Sequence, residues 1–342
     1  TALGYKKTVV KLGREIKKWR TFGVIKDRVE QFLKTLPLIT DLRNNAMRTR
    51  HWDSLRKEIK KDFDPSSDDF TLDAVFTLGI NLHSEFIADL SSTANKELNI
   101  EISLKTIAND WKSIDVQMGT HKGIYHKVRD VEDLTAQLED NQVTISTIKA
   151  SRFYKSFKKQ IDYWESTLSL VSEVMEMLLT VQRQWMYLES IFMASEDIQK
   201  QLPNESRMFD EINTTYKIIT EKMHDDPNAL KALAHKEMLD QLIATDEKLQ
   251  KIQKELDAYL ETKRMVFPRF YFLSNDDLLE ILGQQKDPTK VQAHLEKCFL
   301  GIKTLQMIDP HTPGFNNPTI EAKGMNSPCT EQVPFNKNEF VD

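Results

Sequence analysis

Apolar residues recur every three to four positions over most of this chain, and that spacing predicts a protein built of helices. The clearest case is Phe157, Ile161, Trp164, Leu168, Val171, Met175 and Leu178, which alternate steps of four and three. Trp185 and Phe192 keep the phase, with Gln182 as a polar exception. A seam held over that many heptads predicts one long helix with coiled-coil-like packing. At about 1.5 Å per residue, roughly 40 residues would span about 60 Å, which implies an elongated body.

Weaker stripes flank it. Ile25, Val29, Phe32, Leu33 and Leu36 predict a helix from about Gly13 to Leu36, stopped by Pro37. Leu42, Met47, Leu55 and Ile59 predict a second from about Thr40 to Lys60, and the chain breaks around Pro65. A short helix follows Thr71. A long one from about Asn81 to Val116 carries Phe86, Leu90, Ala94, Leu98, Ile107, Trp111 and Ile114. "KQLPNES" (Lys200 to Ser206) ends the 157–192 helix. Phe209, Ile212, Tyr216, Ile219 and Met223 then form one seam, and Leu242, Leu249, Ile252, Leu256 and Leu260 another between about Ala229 and Lys263. Short connections make successive helices antiparallel neighbours.

The rest of the chain breaks this rhythm. "GTHKGIYHKV" (Gly119 to Val128) reads as a hairpin, with Gly119 and Gly123 bracketing the turn. In "FPRFYF" (Phe267 to Phe272), Pro268 disfavours helix at Phe267, so the run is expected to leave the preceding helix extended. Phe267, Tyr271 and Phe272 are expected to pack between two helices, with Arg269 reaching a carboxylate or a carbonyl. Ser274 can cap the next helix, whose first turn is acidic and which Gly283 ends. Asp287 and Pro288 open another. Five of the eleven prolines lie between Pro310 and Pro334, and no glycine lies between Gly123 and Gly283, so the loop-rich part is the C-terminal one.

Composition narrows the function. The 342 residues are 29% charged and 40% hydrophobic, with 52 acidic against 47 basic residues and a net charge of −5. No chain-wide basic excess favours nucleic acid or an anionic membrane, and the most apolar helix is interrupted by Glu173 and Glu176. Cys298 and Cys329 form no C-x-x-C, which fits a reducing compartment. No P-loop, G-x-G-x-x-G, G-x-S-x-G or H-E-x-x-H motif occurs. His121 and His126 read as part of a solvated loop, the paired carboxylates as caps, and Trp52, Trp111, Trp164 and Trp185 as core. No catalytic, cofactor or metal site is expected. The chain begins and ends abruptly, without a Met start, and so reads as a piece of something larger.

"ETKRMVFPRFYFLSNDDLLEILG" (Glu261 to Gly283) resembles the linker region of dynein heavy chains. "RTRHWDSL", "DDFTLDAVFTLGI", "ANKELNIEISLKTIANDW", "LEDNQVTISTIKASRF", "VQRQWMYLESIF" and "QLPNESRMFDEIN" before it and "VQAHLEKCFLGIKTL" after it appear in the family's order. The resemblance covers about residues 15 to 335. "FLSNDDLLEILGQ" is more similar to axonemal than to cytoplasmic dyneins, and among axonemal chains it leans to the inner arm.

The resemblance implies an all-α, bent rod of consecutive helical bundles with a minor β-hairpin. It would lie across the ring of six AAA+ modules and move between bent and straight shapes. ATP and Mg2+ would bind in that ring, not here, so this segment would not itself be an enzyme. Partners would be the ring of the same chain, the dynein tail with its light and intermediate chains, and microtubules through the parent motor only. No nucleic acid or membrane partner is expected, and the setting would be the cytoskeleton of a cilium or flagellum. The expected parts are an N-terminal helical subdomain at 1–118, a central long-helix bundle at 119–265, an aromatic corner with short helices at 266–305, and a truncated β-rich segment at 306–342.

A lever needs stiff helices and a hinge where few contacts cross. Gly119, Gly123 and Pro203 are the hinge candidates. Phe267, Pro268, Arg269, Phe270, Tyr271 and Phe272 are candidates for a structural corner or a ring-docking surface. The rival class is a static, spectrin-like scaffold without a moving part.

Overall fold

The computed structural model describes residues 2–67, 70–193, 196–283, 291–307, 321–329 and 331–340. The chain is mostly α-helical, with two small antiparallel sheets among the described residues. The helices are α1 (Ala2–Lys11), α2 (Arg20–Leu42), α3 (Thr49–Ile59), α4 (Leu72–Leu78), α5 (Ser84–Ser113), α6 (Glu132–Ala150) and α7 (Lys158–Phe192). They continue with α8 (Glu196–Gln201), α9 (Pro203–Asp225), α10 (Ala229–Leu233), α11 (Lys236–Val266), α12 (Asn275–Gly283) and α13 (Gln292–Cys298). Strands β1 (Met118–His121) and β2 (Tyr125–Val128) form a hairpin, and β3 (Thr304–Met307), β4 (Glu321–Asn326) and β5 (Gln332–Phe340) a second sheet in that order. Two compact units result: Thr1–Lys112 with Glu139–Ser166, and Ser113–Leu138 with Thr167–Asp342.

In the first unit, the core gathers Leu38 and Leu42 of α2, Leu55 and Ile59 of α3, Val75 of α4, and Ile87 and Leu90 of α5. The Thr71 hydroxyl caps α4 by accepting the Ala74 N–H at 3.4 Å. Two boundaries differ from the sequence expectation. Pro37 does not stop α2 but sits inside it. Its ring removes one hydrogen bond and crowds the preceding turn, yet Leu38 and Leu42 beyond it are buried in the core, and that burial carries the helix through. The expected helix over 40–60 is instead broken before Thr49. The Asn44 side chain accepts the Ala46 N–H at 3.0 Å and reaches Asn95 at 2.8 Å. Such side-chain bonds offer the backbone an alternative to the helix ladder.

In the second unit, the seams fall where periodicity puts them. Leu168, Val171, Leu178 and Trp185 of α7, Phe209 and Tyr216 of α9, and Leu249, Leu256 and Leu260 of α11 are buried. Trp111, Trp164 and Trp185 are buried and Trp52 is half-buried. α7 ends at Phe192, short of "KQLPNES", and Pro203 opens α9 at a first-turn position where its missing N–H is harmless. The expected helix near 229–263 divides into α10 and α11, with His235 as the N-cap residue of α11. The expected start at Asp287 and Pro288 lies outside the described residues.

Because Pro37 is exposed and interior to α2, Pro37→Ala should restore a backbone donor without disturbing the core. A gain of up to about 3 kcal/mol is expected in denaturant unfolding. A loss would show that the proline stabilises the helix in this setting.

Candidate functional site: the hairpin clamp and the aromatic corner

The hairpin pairs Met118 with Val128, Gly119 with Lys127, Thr120 with His126 and His121 with Tyr125. Its turn is Lys122–Gly123, both at positive φ (52° and 70°), closed by the Ile124 N–H to the His121 carbonyl at 3.2 Å. Positive φ at both central residues of this β-turn gives a twist that matches paired strands, and Ile124 completes a three-residue loop between the paired His121 and Tyr125. Gly119 is not part of the turn. It lies in β1 under Arg129, whose Cδ would be 2.6 Å from any added Cβ.

The hairpin is fastened to one face of α7 by polar residues that interrupt its apolar seam. The Gln182 carboxamide accepts the Val128 N–H at 2.8 Å and donates to the Val128 carbonyl at 2.8 Å. It thus stands in for one peptide group of a missing neighbouring strand. Its oxygen also accepts the Tyr216 hydroxyl at 2.9 Å, and burial pushes that phenol well above its ordinary pKa. One turn on, Trp185 stacks on Tyr216 at 4.3 Å and donates its indole N–H to Asn213 at 3.2 Å. A further turn on, Glu189 is buried and accepts from Lys122 at 2.5 Å, with His121 at 3.3 Å from the same oxygen. Tyr125 and His121 meet the Trp185 ring edge-on. His121 therefore packs inside the clamp, and His126 stacks on His224 at 4.0 Å; neither belongs to a solvated loop.

A comparable hub lies in the first unit. Glu97 of α5 is buried and receives Arg50 Nε at 2.7 Å and Ser156 Oγ at 3.2 Å. His51 Nδ1 accepts the Arg48 N–H at 3.0 Å, which leaves Nε2–H to donate to Glu97 at 3.0 Å. Burial, more than the neighbouring charges, lowers the His51 pKa below its ordinary 6.5, so the neutral ring is the one that fits.

The aromatic run departs from expectation. Only Phe267 is extended; Pro268–Phe272 form a 3-10 turn. A proline at the first position suits that turn as it does a helix start. Its rings do not fill a joint: Phe267, Tyr271 and Phe272 are 38%, 54% and 70% exposed. Phe270 is half-buried against Phe267 at 4.9 Å. The corner is held instead by Leu273, Leu278 and Leu282 and by Arg264, which donates to the Asn275 side chain at 2.7 Å and the Leu273 carbonyl at 3.4 Å. Ser274 caps α12 by accepting the Asp277 N–H at 3.1 Å. Arg269 does reach a carbonyl, that of Cys298 at 3.0 Å, and lies over the Phe299 ring at 4.6 Å. Tyr187 of α7 faces Asp276, and burial together with that carboxylate pushes its phenol up to about 12.

Gly119 and Gly123 thus share the clamp, Phe267 to Phe272 share the corner, and Pro203 stands apart at the start of α9. Glu97, Glu189 and Arg264 were missed by sequence reasoning. The two glutamates could have been found as charges on the phase of an apolar stripe; Arg264 left no such signal. Among the described residues no group of three or more His, Cys, Asp or Glu is placed to hold a metal ion. No helix among them is long and apolar enough to cross a membrane.

A sequence profile described as dynein heavy chain, N-terminal region 2, matches residues 1–342. The chain is 49% identical over 346 residues, covering all of it, to human dynein axonemal heavy chain 2. It is 50% identical over 329 residues, 96% of its length, to the dynein-1-beta heavy chain of the flagellar inner arm I1 complex of Chlamydomonas reinhardtii. Identity to human dynein axonemal heavy chain 6 is 36% over 308 residues, 88% of the chain. The chain spans 8%, 7% and 7% of the lengths of these three proteins.

Gln182→Leu should orphan the two Val128 backbone groups and the Tyr216 hydroxyl. At about 1–3 kcal/mol for each of the three buried orphans, a loss of about 3–9 kcal/mol is expected in denaturant unfolding; an unchanged midpoint would mean the clamp contributes nothing. His51 yields a pH prediction. Its folded pKa is depressed, so its stabilisation is complete above the unfolded value near 6.5 and is lost as pH falls below it. Melting curves taken through pH 7 to 5 should fall more steeply for the native chain than for His51→Gln, and parallel curves would refute this assignment.

Proposed function

The chain belongs to the dynein heavy-chain family, as its N-terminal region 2, and from that premise we propose that it is the mechanical linker of a dynein motor. In this reading it moves between bent and straight shapes as ATP turns over in the AAA+ ring of the same heavy chain, and straightening drives microtubule movement. The observation that carries the proposal is α7, an unbroken 35-residue helix whose seam is buried along its length and whose polar interruptions are clamped. A force-bearing element has to resist bending, and bending this helix would break packing and orphan buried polar groups together.

The hinge is assigned to Pro203. The hairpin of Gly119 and Gly123, bolted to Gln182 and Glu189, is the braced side of the device. ATP and Mg2+ belong to the ring, and this segment contributes no catalytic residue. The names of the relatives support an axonemal setting. The 50% identity to the inner-arm I1 beta chain supports an inner arm. The exposed Phe267, Tyr271 and Phe272 are available for docking on the ring, the secondary role for that corner.

The test is a motor carrying Pro203→Gly, assayed for microtubule-stimulated ATPase and for gliding. A lever hinged there predicts slower gliding with ATPase largely kept. A folded variant with unchanged gliding would count against a hinge at Pro203.

A further inference from the structure

The turn between α6 and α7 gathers positive charge in the middle of an acidic chain. Between Asp140 and Asp162 stand Lys149, Arg152, Lys155, Lys158 and Lys159 and no acidic residue, although the whole chain carries −5. Lys149 is paired with Glu165. Arg152, Lys155, Lys158 and Lys159 are exposed, as is Lys96 of α5, and none of these five forms an ion pair among the described residues. All of them belong to the first unit.

Local packing gathers the five. The Lys96 ammonium lies 5.2 Å and the Arg152 guanidinium 4.8 Å from the centre of the half-buried Phe153 ring, so one ring draws cations from α5 and from the turn together. Tyr154–Phe157 form a 3-10 turn that runs into α7. Lys155, Lys158 and Lys159 stand at i, i+3 and i+4 along it and share one face, while Phe157, Ile161 and Trp164 are buried on the other. Asp162, one turn on, ends the cationic face. Glu97, next to Lys96 in sequence, is already taken up by Arg50, His51 and Ser156. A helix begins with unpaired N–H groups and the positive end of its dipole, so cations there are repelled. Three lysines at that end cost the free protein stability, and an incoming anion relieves the cost.

What the patch lacks limits which anion fits. No large apolar side chain between residues 149 and 160 is exposed, so nothing beside the charges inserts into a membrane. Phe153 already carries two cations, and Phe157 is buried under Arg50 at 5.3 Å, so neither ring is open to stack a base. A lone phosphate is best held by converging donors, Arg above all; here four of the five cations are lysines, set out as single charges. Lys155 and Lys159 are about 6 Å apart along the helix axis, close to the roughly 7 Å between alternate side chains of an extended chain. A run of glutamates or aspartates in extended form sets a carboxylate against each lysine.

We propose that Lys96, Arg152, Lys155, Lys158 and Lys159 form a docking surface for an acidic, extended segment of a partner polypeptide. Charge would set its association rate and its sensitivity to salt. The surface is separate from the lever reading, and either can fail without the other.

The probe is a dye-labelled oligo-glutamate peptide, titrated with the full 342-residue chain and followed by anisotropy. Saturable binding is expected at low salt, weakening about tenfold or more at physiological salt. Lys158→Glu/Lys159→Glu should weaken it about tenfold, and Lys17→Glu/Lys18→Glu, which reverses two other exposed lysines, by less than about twofold. The milder Lys158→Gln/Lys159→Gln should also weaken binding while melting no lower than the native chain, since it removes charge from the positive end of α7; this guards against a reversal variant that fails to fold. Absence of binding at low salt by the folded chain would overturn the proposal. So would equal losses in the two reversal variants, which would reduce the effect to unspecific charge, or unchanged binding by the folded glutamine variant. Tighter binding to phosphatidylserine vesicles, to single-stranded DNA or to a phosphoserine peptide than to oligo-glutamate would overturn it as well.

Discussion

A polar group set on a buried apolar seam has to find a partner, and much of the internal order of this chain follows from that requirement. Gln182 and Glu189 lie on the seam of α7, and Glu97 on the seam of α5. Left alone, each would cost more than an apolar residue of the same size would contribute. Gln182 is satisfied only by both backbone groups of Val128 and the Tyr216 hydroxyl. That demand fixes where β2 runs along α7 and which rotamer Tyr216 adopts. Glu189 fixes the hairpin turn through Lys122, and Glu97 fixes α3 and the turn before α7 through Arg50, His51 and Ser156. Apolar packing alone would tolerate slippage along these seams, because one methyl group serves nearly as well as another. The polar points act as registration marks.

The same distinction explains what could be read from the sequence. The long seams of α7, α9 and α11 were legible because a helix buried on one side must repeat its apolar residues at helical spacing. The hairpin was legible from its glycine and its strand formers, and the cap at Ser274 from its hydroxyl. What escaped depended on contacts distant in sequence. Pro37 stays inside α2 because Leu38 and Leu42 are buried by residues up to about fifty positions away. The break before Thr49 rests on Asn44 reaching Asn95. Four aromatics in six positions suggest that Phe267, Tyr271 and Phe272 fill a joint between helices. The joint is in fact closed by Arg264 and leucines, and the rings remain largely outside.

These details suit a part that carries load within a much larger heavy chain. A hairpin clamped at three successive turns of a long helix resists shear at each of them, since sliding by one turn would orphan every polar contact together. In the proposed reading, the exposed aromatic corner is where such a part would meet its neighbours.

The central claim, that this segment is a moving lever, is tested most directly by energy transfer in the intact motor. One dye would sit near the hairpin turn on this segment and the other on the AAA+ ring, with transfer recorded without nucleotide and with ATP bound. The account predicts two distinct transfer efficiencies that switch with nucleotide state. A single efficiency, unchanged by ATP in a motor that still hydrolyses it, would contradict it.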